Sequence, residues 1–187
     1  MKTRCQWADD AQFHQYHDAE WGVPVHDDRL HFEFLVLEGA QAGLSWATIL
    51  KRRQGYRQAF ADFDPEKVAQ FTDEDFERLM QNADIIRNKL KIRSAINNAK
   101  RFLEVQMEFG SFDTYIWQFV GNKPIINGWE QMNQIPAVSE ESEMLSKDLK
   151  KRGFTFVGPT IIYAHMQAVG MVNDHEISCF RYKEVQG

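Results

Sequence analysis

Residues 37–50 read L-E-G-A-Q-A-G-L-S-W-A-T-I-L, and how that run breaks decides the fold. Leu30, Phe34 and Leu37 fall at i, i+4 and i+7, which gives a helix starting near Asp27 or Asp28 one apolar face. Gly39 and Gly43 bracket a segment that ends this helix. Ser45 is then placed to cap a second helix, running through Trp46, Ile49 and Leu50 into Lys51, Arg52 and Arg53. The stretch reads as helix, tight glycine turn, helix. Glu38 follows Leu37 at the edge of the buried face, where a carboxylate is costly unless it is solvated, paired or used on a ligand. A surface partner and a ligand both account for it at this point.

Downstream the punctuation is regular. Asp64-Pro65 is an N-cap followed by proline at the first helical position, and Thr72 with Asp75 resembles a capping arrangement for a helix over 74–81. Residues 82–84 break the chain before a turn carrying Arg87, Lys89 and Lys91. A long amphipathic helix follows, with Ile92, Ala95, Ile96, Ala99 and Leu103 on one face. Such a basic turn near a helix N-terminus can hold a phosphate or be a plain loop. Gly110-Ser111 opens a helix over 112–120, residues 121–136 read as a loop, Ser139 caps a helix that stops at Gly153, and Gly158-Pro159 opens one over 160–169. With no period-two strand and no repeat, the class is all-α.

At 187 residues, 43% hydrophobic and 26% charged, the chain can build one sizeable core, as a single unit of two lobes. Aromatics make up 13%, enough to stack on a planar ligand as well as to pack. No apolar run spans a membrane and no signal segment opens the chain, so no membrane partner is expected and the cytoplasm is the expected compartment. A net charge of -5 argues weakly against nucleic acid. Basic residues are nevertheless bunched at 51–57, 87–93 and 147–152, apart from the acids, which permits one basic face.

Two cysteines stand near the two ends, Cys5 and Cys179, with His17 after the first and His175 four residues before the second. Thiolate and imidazole are natural tetrahedral ligands of Zn²⁺, and such a site would clip the termini together. The H-x-x-x-C spacing puts His175 and Cys179 on one side of a helical turn. His14 competes with His17 for the fourth place, and two unpaired buried cysteines with surface histidines remain the other reading.

Taken with these residues, R-C-Q-W at 4–7, Y-H-D-A-E-W-G-V-P at 16–24, L-E-G-A-Q-A-G-L-S-W at 37–46, I-I-R-N-K-L-K-I at 85–92, L-K-K-R-G-F-T-F-V-G-P-T at 149–160 and V-N-D-H at 172–175 resemble the bacterial 3-methyladenine DNA glycosylase I family over nearly the whole chain. The resemblance implies an all-α, bilobal fold of the helix-hairpin-helix DNA glycosylase type. It also implies structural zinc on Cys5, His17, His175 and Cys179, joining the N- and C-terminal segments.

The implied activity is release of 3-methyladenine from alkylated double-stranded DNA; a monomer is expected, though no residue pattern argues for it. A base must leave the stack to be excised, and an apolar side chain on a tight turn is the usual wedge; Leu44 is the candidate, with a core leucine as its other reading. Tyr16, Trp21 and Trp46 with Glu38 would cage the cationic base, with Trp7 and Phe13 as further walls. In the resembled family the carboxylate corresponding to Glu38 reads the methylated adenine, and Glu38 is the one candidate for a catalytic role. Arg87, Lys89 and Lys91 are the candidates for the DNA backbone. No aspartate lies between Asn88 and Phe109 and no lysine is placed as a Schiff-base nucleophile, so monofunctional hydrolysis without strand cleavage is expected. Rival readings are a non-enzymatic sensor of alkylated bases and a zinc-stapled scaffold.

Overall fold

The helix carrying Glu38 is more completely buried than its periodicity predicts. In a computed structural model describing residues 2–186, it spans Asp28–Gln41 (α2), and every residue from His31 to Ala40 is buried. The sequence reading gave this helix one apolar face and ended it between Gly39 and Gly43; it does end there, at Gln41, but residues 31–40 are buried on every side. It passes through Gly39, which packs on the Phe156 side chain, and it is the central helix of the molecule. A helix buried all round needs neighbours on every side. Here they are α3 (Trp46–Ala59), α6 (Lys89–Phe109), α7 (Phe112–Trp117) and α9 (Pro159–Ala168).

The other helices are α1 (His14–Ala19), α4 (Pro65–Ala69), α5 (Asp73–Gln81), α8 (Glu140–Lys151) and α10 (Arg181–Glu184). Their starts are set by local chemistry. Asp27 accepts from Leu30 N at 2.9 Å, Ser45 from Thr48 N at 3.2 Å, and Thr72 and Asp75 cap each other reciprocally. Each such cap contributes about 1 kcal/mol. The helix expected over 112–120 is α7 followed by a 3-10 turn, Gln118–Val120.

One short sheet was not expected. Ile125–Ile126 (β1) and Val172–Asn173 (β2) pair in parallel, Ile125 opposite Val172 and Ile126 opposite Asn173. The pairing fixes one end of the loop between α7 and α8 against the C-terminal segment. Asp174 fixes the loop further, accepting from Asn127 Nδ2 and Trp129 Nε1, each at 2.7 Å, while Tyr163 and Gln167 donate to its other oxygen. Among the described residues no helix is long and apolar enough to cross a membrane.

Candidate functional site

Glu38 lies three residues before the end of α2 and lines a cavity of about 330 Å³. The turn after α2 reverses the chain so that Trp46, the first residue of α3, stands on the same cavity. Gly43 adopts φ +77° in this turn, a conformation that other residues rarely adopt. Trp7 comes from a 3-10 turn, Gln6–Ala8; Tyr16 from α1; and Trp21 from the residues just after it. Tyr16 and Trp46 have ring centroids 5.5 Å apart, and Trp7 and Trp21 meet edge to face at 5.0 Å. Four aromatic rings and one carboxylate thus converge from four parts of the chain.

The carboxylate has no compensating partner. Glu38 is 4% exposed and has neither a hydrogen bond nor an ion pair among the described residues. Burial pushes its pKa up from 4.5 to about 8. Burial, and then the nearby Glu38, push the Tyr16 phenol well above its usual range. The indole Nε1 groups of Trp7 and Trp46 are also buried without an acceptor. A cavity lined by aromatic rings and one unpaired carboxyl is suited to a planar ligand with a polar edge.

The far wall was not read from the sequence. Met132, Ile135 and Pro136 of the α7–α8 loop, with Ala164 and Gln167 of α9 and Gln41 of α2, complete the lining of the cavity. The loop's apolar residues, Ile125, Ile126, Trp129, Met132 and Ile135, gave no period that would have pointed at this wall. Phe13 is not a wall. It packs edge-on behind Trp7, with centroids 5.7 Å apart, and supports that ring.

Behind the aromatic wall the chain termini meet. One ligand-type atom each from Cys5, His17, His175 and Cys179 lies within 4.8 Å of the others, and all four residues are buried. Cys5 Sγ is 3.4 Å from His175 Nδ1, and Cys179 Sγ is 3.5 Å from His17 Nε2. His14 stays outside the cluster. His175 and Cys179 lie in an irregular turn, with Cys179 N donating to Glu176 O, where a helical turn was expected. The other ring nitrogens are engaged. His17 Nδ1 is 2.8 Å from Asp18, itself held by Arg4, and His175 Nε2 is 3.0 Å from the carbonyl of Trp21. The Arg4 guanidinium, more than His17, keeps the Asp18 carboxyl well below its usual range.

The basic residues divide into two groups. Arg87, in the turn before α6, and Lys89, the first residue of α6, are exposed and make no ion pair among the described residues. Asn88 between them caps α6, accepting from Leu90 N and Lys91 N. Lys91 is directed elsewhere. Its Nζ donates to Ala40 O at 2.8 Å and Ala42 O at 2.6 Å, at the C-terminal end of α2. Burial lowers its pKa. This corrects the expectation of a phosphate ligand, because the ammonium is already bound to carbonyls that α2 leaves without helical partners. Arg53 and Arg57, from the cluster at 51–57, are likewise held by Glu33. Leu44 is exposed at the tip of the α2–α3 turn, with 40% of its surface open, so it is not a core residue.

Comparison with known proteins agrees across the whole chain. A family profile described as methyladenine glycosylase matches residues 6–182. DNA-3-methyladenine glycosylase 1 of Escherichia coli is 48% identical over 180 residues, covering 96% of each chain. A DNA-3-methyladenine glycosylase of Haemophilus influenzae is 46% identical over 180 residues, covering 96% of this chain and 97% of that one. A solved structure of a Y16F 3-methyladenine DNA glycosylase I in complex with 3-methyladenine superposes with a TM-score of 0.91, at 37% identity, over 95% of this chain and 96% of that one.

Proposed function

The chain belongs to the methyladenine glycosylase family, and from that premise we infer that it is a DNA repair enzyme, an N-glycosylase that releases 3-methyladenine from alkylated DNA. The observation that carries the reading at the level of residues is the uncompensated carboxyl of Glu38 in a cavity walled by Trp7, Tyr16, Trp21 and Trp46. A 3-methylated adenine in DNA carries a delocalised positive charge. Aromatic faces attract such a cation and a carboxylate complements it, whereas neutral adenine gains neither interaction. Gln41 and the loop residues Met132 and Ile135 would exclude water from the other side.

The chemistry asks little of an acid. When the C1′–N9 bond breaks, the electron pair passes to the base and cancels its charge, so no proton need be donated. Water adds to the sugar cation and loses a proton, leaving an abasic site. Glu38, the catalytic candidate, then acts by binding and orienting the cationic base. No lysine borders the cavity, which supports hydrolysis without strand cleavage.

On this reading α5, the turn at 82–88 and α6 form the DNA-anchoring helix-hairpin-helix, and α2 with its neighbours separates two lobes. Arg87 and Lys89 meet phosphates of duplex DNA and Leu44 fills the gap left by the extruded base. The protein acts as a monomer in the cytoplasm. Cys5, His17, His175 and Cys179 hold one structural Zn²⁺. The donor set, the spacing of the donor atoms and the partners that leave His17 Nε2 and His175 Nδ1 free all suit that ion. Zinc would tie the two ends of the chain and stiffen the wall at Trp21.

The test is chromatography of bases released from methylated duplex DNA. Free 3-methyladenine is expected from the wild type, with far less from Glu38→Gln; no release by a folded wild type would overturn the reading. A product trapped covalently by borohydride would overturn the monofunctional part. A thermal midpoint indifferent to a chelator and to Cys5→Ala would remove the zinc.

A further inference from the structure

Two turns on this reading face DNA, one carrying Leu44 and one carrying Arg87 and Lys89, and the structure joins them directly. Lys91, in the first turn of α6, reaches across to the carbonyls of Ala40 and Ala42, two residues from Leu44. An ammonium there also complements the negative end of the α2 dipole. On the other side, Arg52 of α3 donates to Ala83 O, and Ile86 N donates to the Tyr56 hydroxyl at 3.2 Å. Gly55 lets α3 approach the backbone of Asp84 so closely that a Cβ would stand 2.6 Å from its carbonyl oxygen. The α2–α3 and α5–α6 hairpins are therefore fastened at three points.

We propose that Lys91 is a positioning residue, a strut that sets where Leu44 enters the duplex relative to the phosphates held by Arg87 and Lys89. The proposal rests on the reading of Leu44 as the wedge. Anchoring the backbone at one turn then fixes the depth and register of the other, so the wedge enters opposite the base that the pocket receives. Without the strut the turn at 42–45 keeps its glycine conformation and loses its reference to α6. A displacement of about 1 Å at such a group costs on the order of a hundredfold in rate.

The experiment compares Lys91→Met, Lys91→Arg, Leu44→Ala and the double variant Lys91→Met/Leu44→Ala. It reads single-turnover excision from a duplex carrying 3-methyladenine, the dependence of DNA affinity on salt, and tryptophan quenching by free 3-methyladenine. Lys91→Met is expected to slow excision by about ten- to a hundredfold, leave the salt slope and free-base affinity unchanged, recover in Lys91→Arg, and cost nothing further once Leu44 is alanine. A salt slope smaller by about 1 in Lys91→Met would make Lys91 a phosphate ligand and overturn the proposal. Additive losses in the double variant, or normal excision by Lys91→Met while Leu44→Ala is slow, would overturn it as well. Normal excision by Leu44→Ala alone would instead overturn the wedge reading. Lys91→Gln, which keeps one donor, carries the same comparison if the methionine variant does not fold.

Discussion

Helix α2 carries two glutamates five residues apart, Glu33 and Glu38, each 4% exposed, and the molecule meets them in opposite ways. Glu33 is reached by Arg53 Nε at 2.6 Å and by Arg57 at 2.9 Å, and Arg53 also binds Glu20 at 2.7 Å. Glu38 is reached by no cation among the described residues and opens onto a cavity. Two carboxyls of the same type and burial therefore differ in one respect, whether the fold itself supplies the opposite charge. Where it does, the charge is structural; where it does not, the charge is left for a ligand to complement.

The largest effect expected from breaking this contrast is on stability. Glu33→Ala leaves Arg53 buried with only Glu20, and removing one partner of a buried pair costs about 3–5 kcal/mol. Urea unfolding of the variant should show this loss. Glu38→Gln should lower stability by less than about 1 kcal/mol near neutral pH, because an amide replaces a carboxyl that is itself largely protonated there. Equal losses would erase the distinction. In excision the order reverses: Glu38→Gln should reduce kcat/KM for 3-methyladenine by about ten- to a hundredfold, the value of one charge-assisted hydrogen bond.

A smaller effect appears in pH dependence, with two slopes of opposite sign. With the Glu38 pKa near 8 in the free protein and 4.5 as its ordinary value, the folded state holds a proton that the unfolded state has lost between those limits. The stability contributed by neutral Glu38 is therefore complete below about pH 4.5 and declines towards pH 8, by at most about 1.4 kcal/mol per unit. A cationic base calls for the carboxylate, so kcat/KM should rise with pH and level off near 8. Glu38→Gln should lose both slopes. A wild-type kcat/KM flat from pH 6 to 9 would place the Glu38 pKa elsewhere or remove it from recognition.

The same contrast explains what the sequence made legible. Ser45, Thr72, Ser139 and Gly158-Pro159 announce helix starts because capping is settled within three residues. The two cysteines and two histidines were legible as residue types suited to one ion. Burial of α2 on all sides was not, since His31 and Glu33 look like a polar face until Asp113 and Arg53 arrive from 82 and 20 residues away. The far wall of the cavity was hidden for a similar reason. Met132 and Ile135 reach the cavity that Trp46 lines from a loop held by Asp174 and a two-residue parallel pairing. Lys91 was misread because a lysine in a basic turn gives no sign of carbonyls in another hairpin.

The smallest effect concerns the outer member of the cluster around Glu33. The Arg57 side chain is 38% exposed against 10% for Arg53, so water already screens most of its attraction for Glu33. Arg57→Met keeps the aliphatic stem and removes the charge, leaving Glu33 with Arg53 alone. The expected loss is about 0.2–1 kcal/mol by urea unfolding, with 3-methyladenine excision unchanged because Arg57 does not border the cavity. If Arg57→Met were as damaging as Glu33→Ala, Glu33 would depend on both cations, and Arg53 would be occupied chiefly by Glu20. If it cost nothing, Arg53 alone would compensate Glu33, and the contrast with Glu38 would come down to one arginine, about two helical turns after Trp46 in α3.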